Sequence, residues 1–432
     1  MARDDRISGA LKRQQQRTPG QKDRDRVLYS LAFRRLATVT QVVGPLEGYI
    51  FHNRLTHTLE VAQIGRRLAE LLRAQFPTAN GYIDPDVVEC AAMAHDLGHP
   101  PFGHAAEDEL NRIAHANGLS DGFEGNAQSF RIITRLAELG PRWPNGLDLT
   151  RASLNAVLKY PWVATKIPPT TSPHKKGKFG AYASDDVAFD FARVLGPAAF
   201  EQCPEAQIMD LADDIAYSVH DVDDFYRAGL LPLDQLATDR SQFYDFLARW
   251  QQQGGPMIAM PEMRQLENLL GLVRLGLPYS GTRAQRAGLR AFTSTQIGNF
   301  VQAVTLQSDP TCVWRVEITP ARKLDIQFLK QLVWDFVITN PRLASLQTGQ
   351  RRIIRELFTI YHDAINHDQL DVIPPLFREE AESLIAGHAT SSPDAVRLAI
   401  DIVASFGDEQ ATKMAHRLTG IAVGSVRDAL GP

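Results

Sequence analysis

Residues 53–76, NRLTHTLEVAQIGRRLAELLRAQF, constrain the fold more than any other stretch. Leu55, Leu59, Ala62, Leu68, Leu71 and Leu72 recur at spacings of three and four, with charges between them. That period belongs to a helix of 3.6 residues per turn; a half-buried strand would alternate every second residue. The pattern returns in RIITRLAELG, EAQIMDLADDIAYSVHDVDDFYRAG, FLKQLVWDFVITN, RRIIRELFTIYHDAI and AVRLAIDIVASF. Only CVWRVEIT, residues 312–319, alternates as a strand does, as one arm of a small hairpin. The expected class is mainly α, with at most a small β hairpin. With 432 residues, 44% of them hydrophobic, the chain can bury a sizeable core. No fixed-period repeat and no Gly/Ser linker divides it. The expected organisation is a flexible Arg-rich arm over 1–26, a helical core over 27–229 with an irregular loop at about 140–186, and a helical half over 230–432 packed on that core.

Several classes are disfavoured. Cys90, Cys203 and Cys312 lie far apart with no CxxC pair, against a disulfide framework or a thiolate zinc site and for a reducing compartment. The opening MARDDRISGALKRQQQRTPGQKDRDR lacks the apolar core of a signal peptide, and no later stretch is long and apolar enough to span a bilayer. A cytoplasmic protein with no membrane partner is expected. A net charge of -4 makes no overall case for nucleic acid. Local basic runs remain: HKKGK, residues 174–178, reads either as a solvated loop tip or as a cationic flap for phosphates or single-stranded nucleic acid.

The chemistry concentrates elsewhere. Of twelve histidines, five (His52, His57, His95, His99, His104) fall within residues 52–104, far denser than even scatter. Asp84 and Pro85 predict a helix start, Val87, Val88, Ala91, Ala92 and His95 share helical spacing, and Gly98 with Pro100 and Pro101 predicts its end. His95 and Asp96 therefore sit in a last turn, where a lone histidine is ordinarily structural. The cluster argues for more: imidazoles and carboxylates without thiolates suit a divalent transition metal. His57, His95 and Asp96 leave a four-ligand site one anionic oxygen short. On the wheel of AQIMDLADDIAYSVHD, Asp213 stands at the margin of an apolar arc, between Met209 and Tyr217, whereas Asp210 and Asp214 point further away. A carboxylate there needs a cation, either a metal or an arginine in a salt bridge.

The order His57, His95-Asp96, Asp213 resembles the H...HD...D signature of the HD phosphohydrolase superfamily. Its surroundings are more specific. RDRVLYSLAFRRLATVTQV, NRLTHTLEVAQIGR, AHDLGHPPFGHAAE, GFEGNAQS, LKYPW and EAQIMDLADDIAYSVHD, in this order, resemble the deoxyguanosinetriphosphate triphosphohydrolase family closely over residues 24 to about 225. The resemblance implies an HD phosphohydrolase core with His57, His95, Asp96 and Asp213 holding one divalent metal per subunit (Mn, Mg, Fe, Co, Ni or Zn). It makes His104 and Glu107 the catalytic pair, and Gln41, Arg54, His99, Asn126, Lys159, Tyr160, Tyr217 and Asp221 match positions near the nucleotide. The implied activity is cleavage of a deoxynucleoside triphosphate (dGTP or several dNTPs) to deoxynucleoside and tripolyphosphate. The implied assembly is a homo-oligomer, such as a hexamer, with a nucleotide effector or single-stranded DNA as a further partner. The alternatives are another HD phosphohydrolase reaction, on a nucleoside monophosphate, a cyclic dinucleotide or a magic-spot nucleotide, or a catalytically silent nucleotide- or nucleic-acid-binding protein.

Overall fold

A computed structural model describes residues 2–9, 16–41, 52–140, 146–169, 176–271 and 278–421, with the backbone alone at 341–343. Among these residues are eighteen α-helices and one two-stranded antiparallel hairpin. The hairpin pairs Val304–Asp309 with Val313–Ile318, Val304 lying opposite Ile318, so the alternating stretch forms its second arm. No described helix is long and apolar enough to cross a membrane, and the three cysteines are buried and unpaired.

Three helices carry the site. Arg54–Gln75 starts at Asn53, whose side chain accepts from the Thr56 amide. Its buried face comprises His57, Thr58, Val61, Ala62, Ile64, Gly65, Leu68, Ala69 and Leu72. Leu59, expected on the inner stripe, is 42% exposed, while Leu55 and Leu71 are half-buried. The inner face runs instead through small residues, because neighbouring helices approach closely there: a β-carbon on Gly65 would meet Val88 at 3.1 Å and Ala212 at 3.5 Å. The second helix, Pro85–Ala94, has Asp84 as N-cap and Pro85 at its first position, as the sequence predicts. Every residue of it except Glu89 is buried, so it is central to the core rather than amphipathic. The third, Pro204–Arg227, packs against both.

Three expectations about organisation need correction. Residues 1–26 are not a free arm where they are described: Pro19–Leu28 is a helix with a Thr18–Gln21 capping box, and Arg6 bridges to Thr150. Asp23 is fully buried, 2.7 Å from Arg6, and accepts from the Thr150 amide at 2.8 Å. Charge density suggests solvation, but these arginines meet buried carboxylates. Within the irregular 140–186 stretch, Arg151–Val157 is a helix buried at every residue, capped by Thr150. The C-terminal half is also divided. Hydrophobic residues through Val337 join the main core, whereas a second core packs the later helices, from Ile354 to Ala415, against His104–Ala116.

Polar contacts tie the two cores together around residues 95–103. The Arg35 guanidinium donates to the carbonyls of Leu97 (2.5 Å) and His99 (2.9 Å) with one nitrogen, and to those of Ala404 and Phe406 (both 3.0 Å) with the other. Asp408 accepts from the Phe102 amide at 2.8 Å and the Thr40 amide at 3.1 Å. Arg131, buried, pairs with Asp401 at 2.9 Å and Asp185 at 3.2 Å. Arg35→Met, which leaves four carbonyls short of a donor, is expected to lower stability by about 3 kcal/mol or more, since each unpaired buried polar group costs ~1–3 kcal/mol. Arg35→Lys should restore only part, because one ammonium cannot span both pairs. Chemical denaturation checks this; a loss under about 0.5 kcal/mol in Arg35→Met, the range of surface substitutions, would refute the clamp.

Candidate active site

The Pro85–Ala94 helix stops where its residues require it. His95 is its C-cap, and Gly98 permits a contact that no side chain would: a β-carbon there would lie 2.2 Å from both the Gly125 carbonyl oxygen and the Ser129 amide. Ser129 Oγ fastens this turn, donating to the His95 carbonyl at 2.7 Å and accepting from the Gly98 amide at 2.9 Å. The chain then passes through left-handed φ at Phe102 (65°) and Gly103 (59°) and starts the helix His104–Ala116. Such a conformation is costly for phenylalanine and persists because Asp408 holds the Phe102 amide.

His57, His95 and Asp96 are buried and close enough to share an ion. Asp213 joins them from Pro204–Arg227: its Oδ1 lies 3.1 Å from His57 Nε2 and 3.7 Å from His95 Nε2. Of the neighbouring acids, Asp214 turns outward to Lys330 (2.7 Å), and Asp210 meets Lys159 (2.9 Å). Lys159 also holds Asp213 Oδ2 at 2.8 Å, so the cation beside Asp213 is a lysine where an arginine was the sequence alternative. Burial opposes ionisation of Asp213, but Lys159 and the two imidazoles outweigh it and hold the carboxyl well below the usual range.

His95 shows what this donor set lacks. Its Nδ1 bonds the Ala92 carbonyl at 2.7 Å, which in the neutral ring leaves the Nε2 lone pair facing Asp96 Oδ1 at 3.3 Å. Nε2 is buried and has no hydrogen-bond partner among the described residues. A lone pair facing carboxylates is repulsive unless a cation intervenes. Burial lowers the His95 pKa, yet Asp96 and Asp213 overcome this and raise it to about 9. The position wants positive charge, and a divalent ion on two imidazoles and two carboxylates fits it. Asp96 is further held by Arg54 (2.6 Å) and His99 Nδ1 (3.1 Å).

His99 leads to a second group. Its ring lies edge-on to that of His104, centroids 5.9 Å apart. His104 is largely exposed and bonds Glu107 through Nδ1 at 2.9 Å, leaving Nε2 outward. Glu107 is buried; its other oxygen meets Lys178 Nζ at 2.8 Å, and the same ammonium reaches Glu124 at 3.0 Å. Burial by itself raises the pKa of both acids. His104 and Lys178 hold Glu107 well below the carboxylate range, whereas burial and the Glu107 charge push Glu124 up. Sequence reading missed Lys178. It ends the HKKGK run half-buried on Glu107, while Lys176 and Gly177 before it are exposed; His174 and Lys175 lie outside the described residues. Three buried or half-buried groups of alternating charge, with no periodic spacing, leave no local signal.

The expected nucleotide positions are unequally placed. Arg54 faces Asp96, and its buried Nε has no hydrogen-bond partner among the described residues. Gln41 Oε1 and Asp221 Oδ2 are likewise buried without hydrogen-bond partners among the described residues. Asp221 is 3% exposed, and burial with the neighbouring Asp224 raises its pKa far above that of a free carboxyl. Tyr217 is half-buried with Lys330 Nζ 5.6 Å from its ring centre. Asn126 is occupied: its side chain donates to Glu124 at 2.8 Å. Tyr160 packs edge-on against Trp162.

Comparison with known proteins agrees with this geometry. Residues 54–218 match the HD domain family, and residues 316–417 match the phosphohydrolase-associated domain. A deoxyguanosinetriphosphate triphosphohydrolase-like protein of Streptomyces coelicolor is 36% identical, covering 94% of this chain and 93% of its own. Proteins of the same description from Bifidobacterium longum (34%; 91% and 82%) and Shewanella halifaxensis (30%; 97% and 96%) are similar over comparable lengths. The chain belongs to the deoxyguanosinetriphosphate triphosphohydrolase-like family of HD-domain phosphohydrolases.

Proposed function

We propose that this protein is a divalent-metal-dependent dNTP triphosphohydrolase, releasing deoxynucleoside and tripolyphosphate. The observation that carries the proposal is the buried His95 Nε2, unpartnered and aimed at carboxylates, beside an exposed His104 backed by an ionised Glu107. His57, His95, Asp96 and Asp213 would hold the metal, which when bound supplies Lewis-acid stabilisation of phosphoryl charge and an acidified water.

The chain's own residues do the rest. Water adds to the α-phosphorus and the bond to the 5' oxygen breaks, so one proton leaves the water and another must reach the departing oxygen. His104 is the group placed for this transfer. Glu107 accepts from His104 Nδ1, fixing the tautomer whose Nε2 faces the substrate and stabilising the ring when it carries the proton. Lys178 in turn keeps Glu107 ionised. Arg54, whose Nε has no partner among the described residues, offers a planar fork to phosphate oxygens. Tyr217 and Asp221, one turn apart, line the same helix side as Asp213. There the ring packs against the 2' carbon and the buried, unsatisfied Asp221 carboxyl takes the 3'-hydroxyl, which selects deoxyribose.

Incubation with each of the four dNTPs and with GTP, with Mn or Mg and with chelator, is expected to yield tripolyphosphate from at least one dNTP, only with metal, and little from GTP. Release of orthophosphate or pyrophosphate instead would overturn the reaction assignment. His104→Ala should keep its metal and lose roughly 100- to 10,000-fold in turnover; wild-type-like kcat would remove His104 from the mechanism. In Lys178→Met, Glu107 loses a cation, so its pKa rises and the acid limb of kcat/KM moves to higher pH. An unmoved pH profile would mean that Lys178 only supports the loop.

A further inference from the structure

A second, less buried mixed cluster draws on the same two helices. His52 stands just before Arg54–Gln75, Glu60 one turn beyond His57, and His220 two turns beyond Asp213. His52 Nδ1 lies 2.8 Å from Asp224 Oδ2, and that same oxygen accepts from the His52 amide at 2.6 Å. This fixes the ring with Nε2 toward Glu60 Oε1, 3.1 Å away. The His220 ring stacks on His52 with centroids 5.3 Å apart, and its Nδ1 is 2.5 Å from Glu60 Oε2. Yet His220 Nδ1 and Glu60 Oε2, both buried, form no hydrogen bond with any described partner, since their contact has the distance without the direction. His220 is only 7% exposed.

We propose that His52, Glu60 and His220 bind a second divalent first-row transition ion, with Asp224 orienting His52. Two imidazoles and one carboxylate converge within 4.8 Å of one another, the donor types such ions prefer over magnesium or calcium. The Asp224–His52 contact is the arrangement by which a carboxylate behind an imidazole sets its free nitrogen toward a metal. Charge argues the same way. Metal-ligating imidazoles are neutral, and with both rings neutral the Glu60 and Asp224 carboxylates are left without a cation, the nearby Arg54 being engaged by Asp96. An ion there would join Arg54–Gln75 to Pro204–Arg227, the helices that carry His57 and Asp213. Seating it requires the Glu60–His220 contact to widen toward the ~3.3 Å separation of donors around a tetrahedral ion with bonds near 2 Å.

The test is metal content and anomalous scattering of the whole chain loaded with Zn²⁺. Wild type is expected to hold two zinc ions per chain, with one anomalous peak among His52, Glu60 and His220. Glu60→Gln and His220→Ala should each reduce the count to one and keep the peak at His57, His95, Asp96 and Asp213. Asp213→Asn should do the reverse. Wild-type crystals with no peak at the second cluster, or a zinc count unchanged in both Glu60→Gln and His220→Ala, would overturn the proposal. If those variants do not fold, the wild-type map decides it alone.

Discussion

The Arg35 guanidinium is the contact on which the rest of the arrangement depends. Two carbonyls from the turn after His95 and two from the end of Pro393–Ala404 share it, so one side chain holds that turn and the C-terminal core in register. Burial and the nearby Arg54 pull its pKa down to about 10, with Asp408 working the other way. An ammonium could not replace it, because only the planar fork presents donors in two directions at once. With Ser129 and Asp408, this accounts for how a turn containing Gly98, two prolines and a left-handed phenylalanine remains ordered.

Around that turn the electrostatics follow one theme, buried carboxylates that share the cations and imidazoles holding them. Asp213 draws on Lys159 and two imidazoles, Asp96 on Arg54 and two imidazoles, and Glu107 with Glu124 shares Lys178. In a low-dielectric interior such groups stay ionised only while their partners persist, which couples loop, helix and site energetically. Lys178 belongs to a loop and His104 to a helix, yet Glu107 needs both. The exposed His104 therefore faces solvent while the acid that pairs with it remains buried.

Much of the local architecture was legible in residue order. Asp84 with Pro85, and Gly98 with the prolines, marked a helix and its end because caps and breakers act within a few residues. The apolar arc of 204–227 singled out Asp213 for the same reason, since a helical wheel is a local geometry. The alternating 312–319 stretch announced its strand. The arginine-rich start misled, because the carboxylates that order it, Asp23 and Asp148, depend on contacts between distant segments.

What the sequence by itself determined was helical class, the helix or helix end near which each proposed ligand falls, and the residue types of an imidazole–carboxylate centre, all of which follow from periodicity and donor chemistry. Tertiary structure alone decided that Lys159 would meet Asp213, that Lys178 would hold Glu107, that Asp408 would secure the Phe102 turn, and that His52, Glu60 and His220 would converge. These pairings join residues from separate segments. Their partners are chosen by which helices pack together and by the need of buried charge for compensation, and neither leaves a periodic trace along the chain.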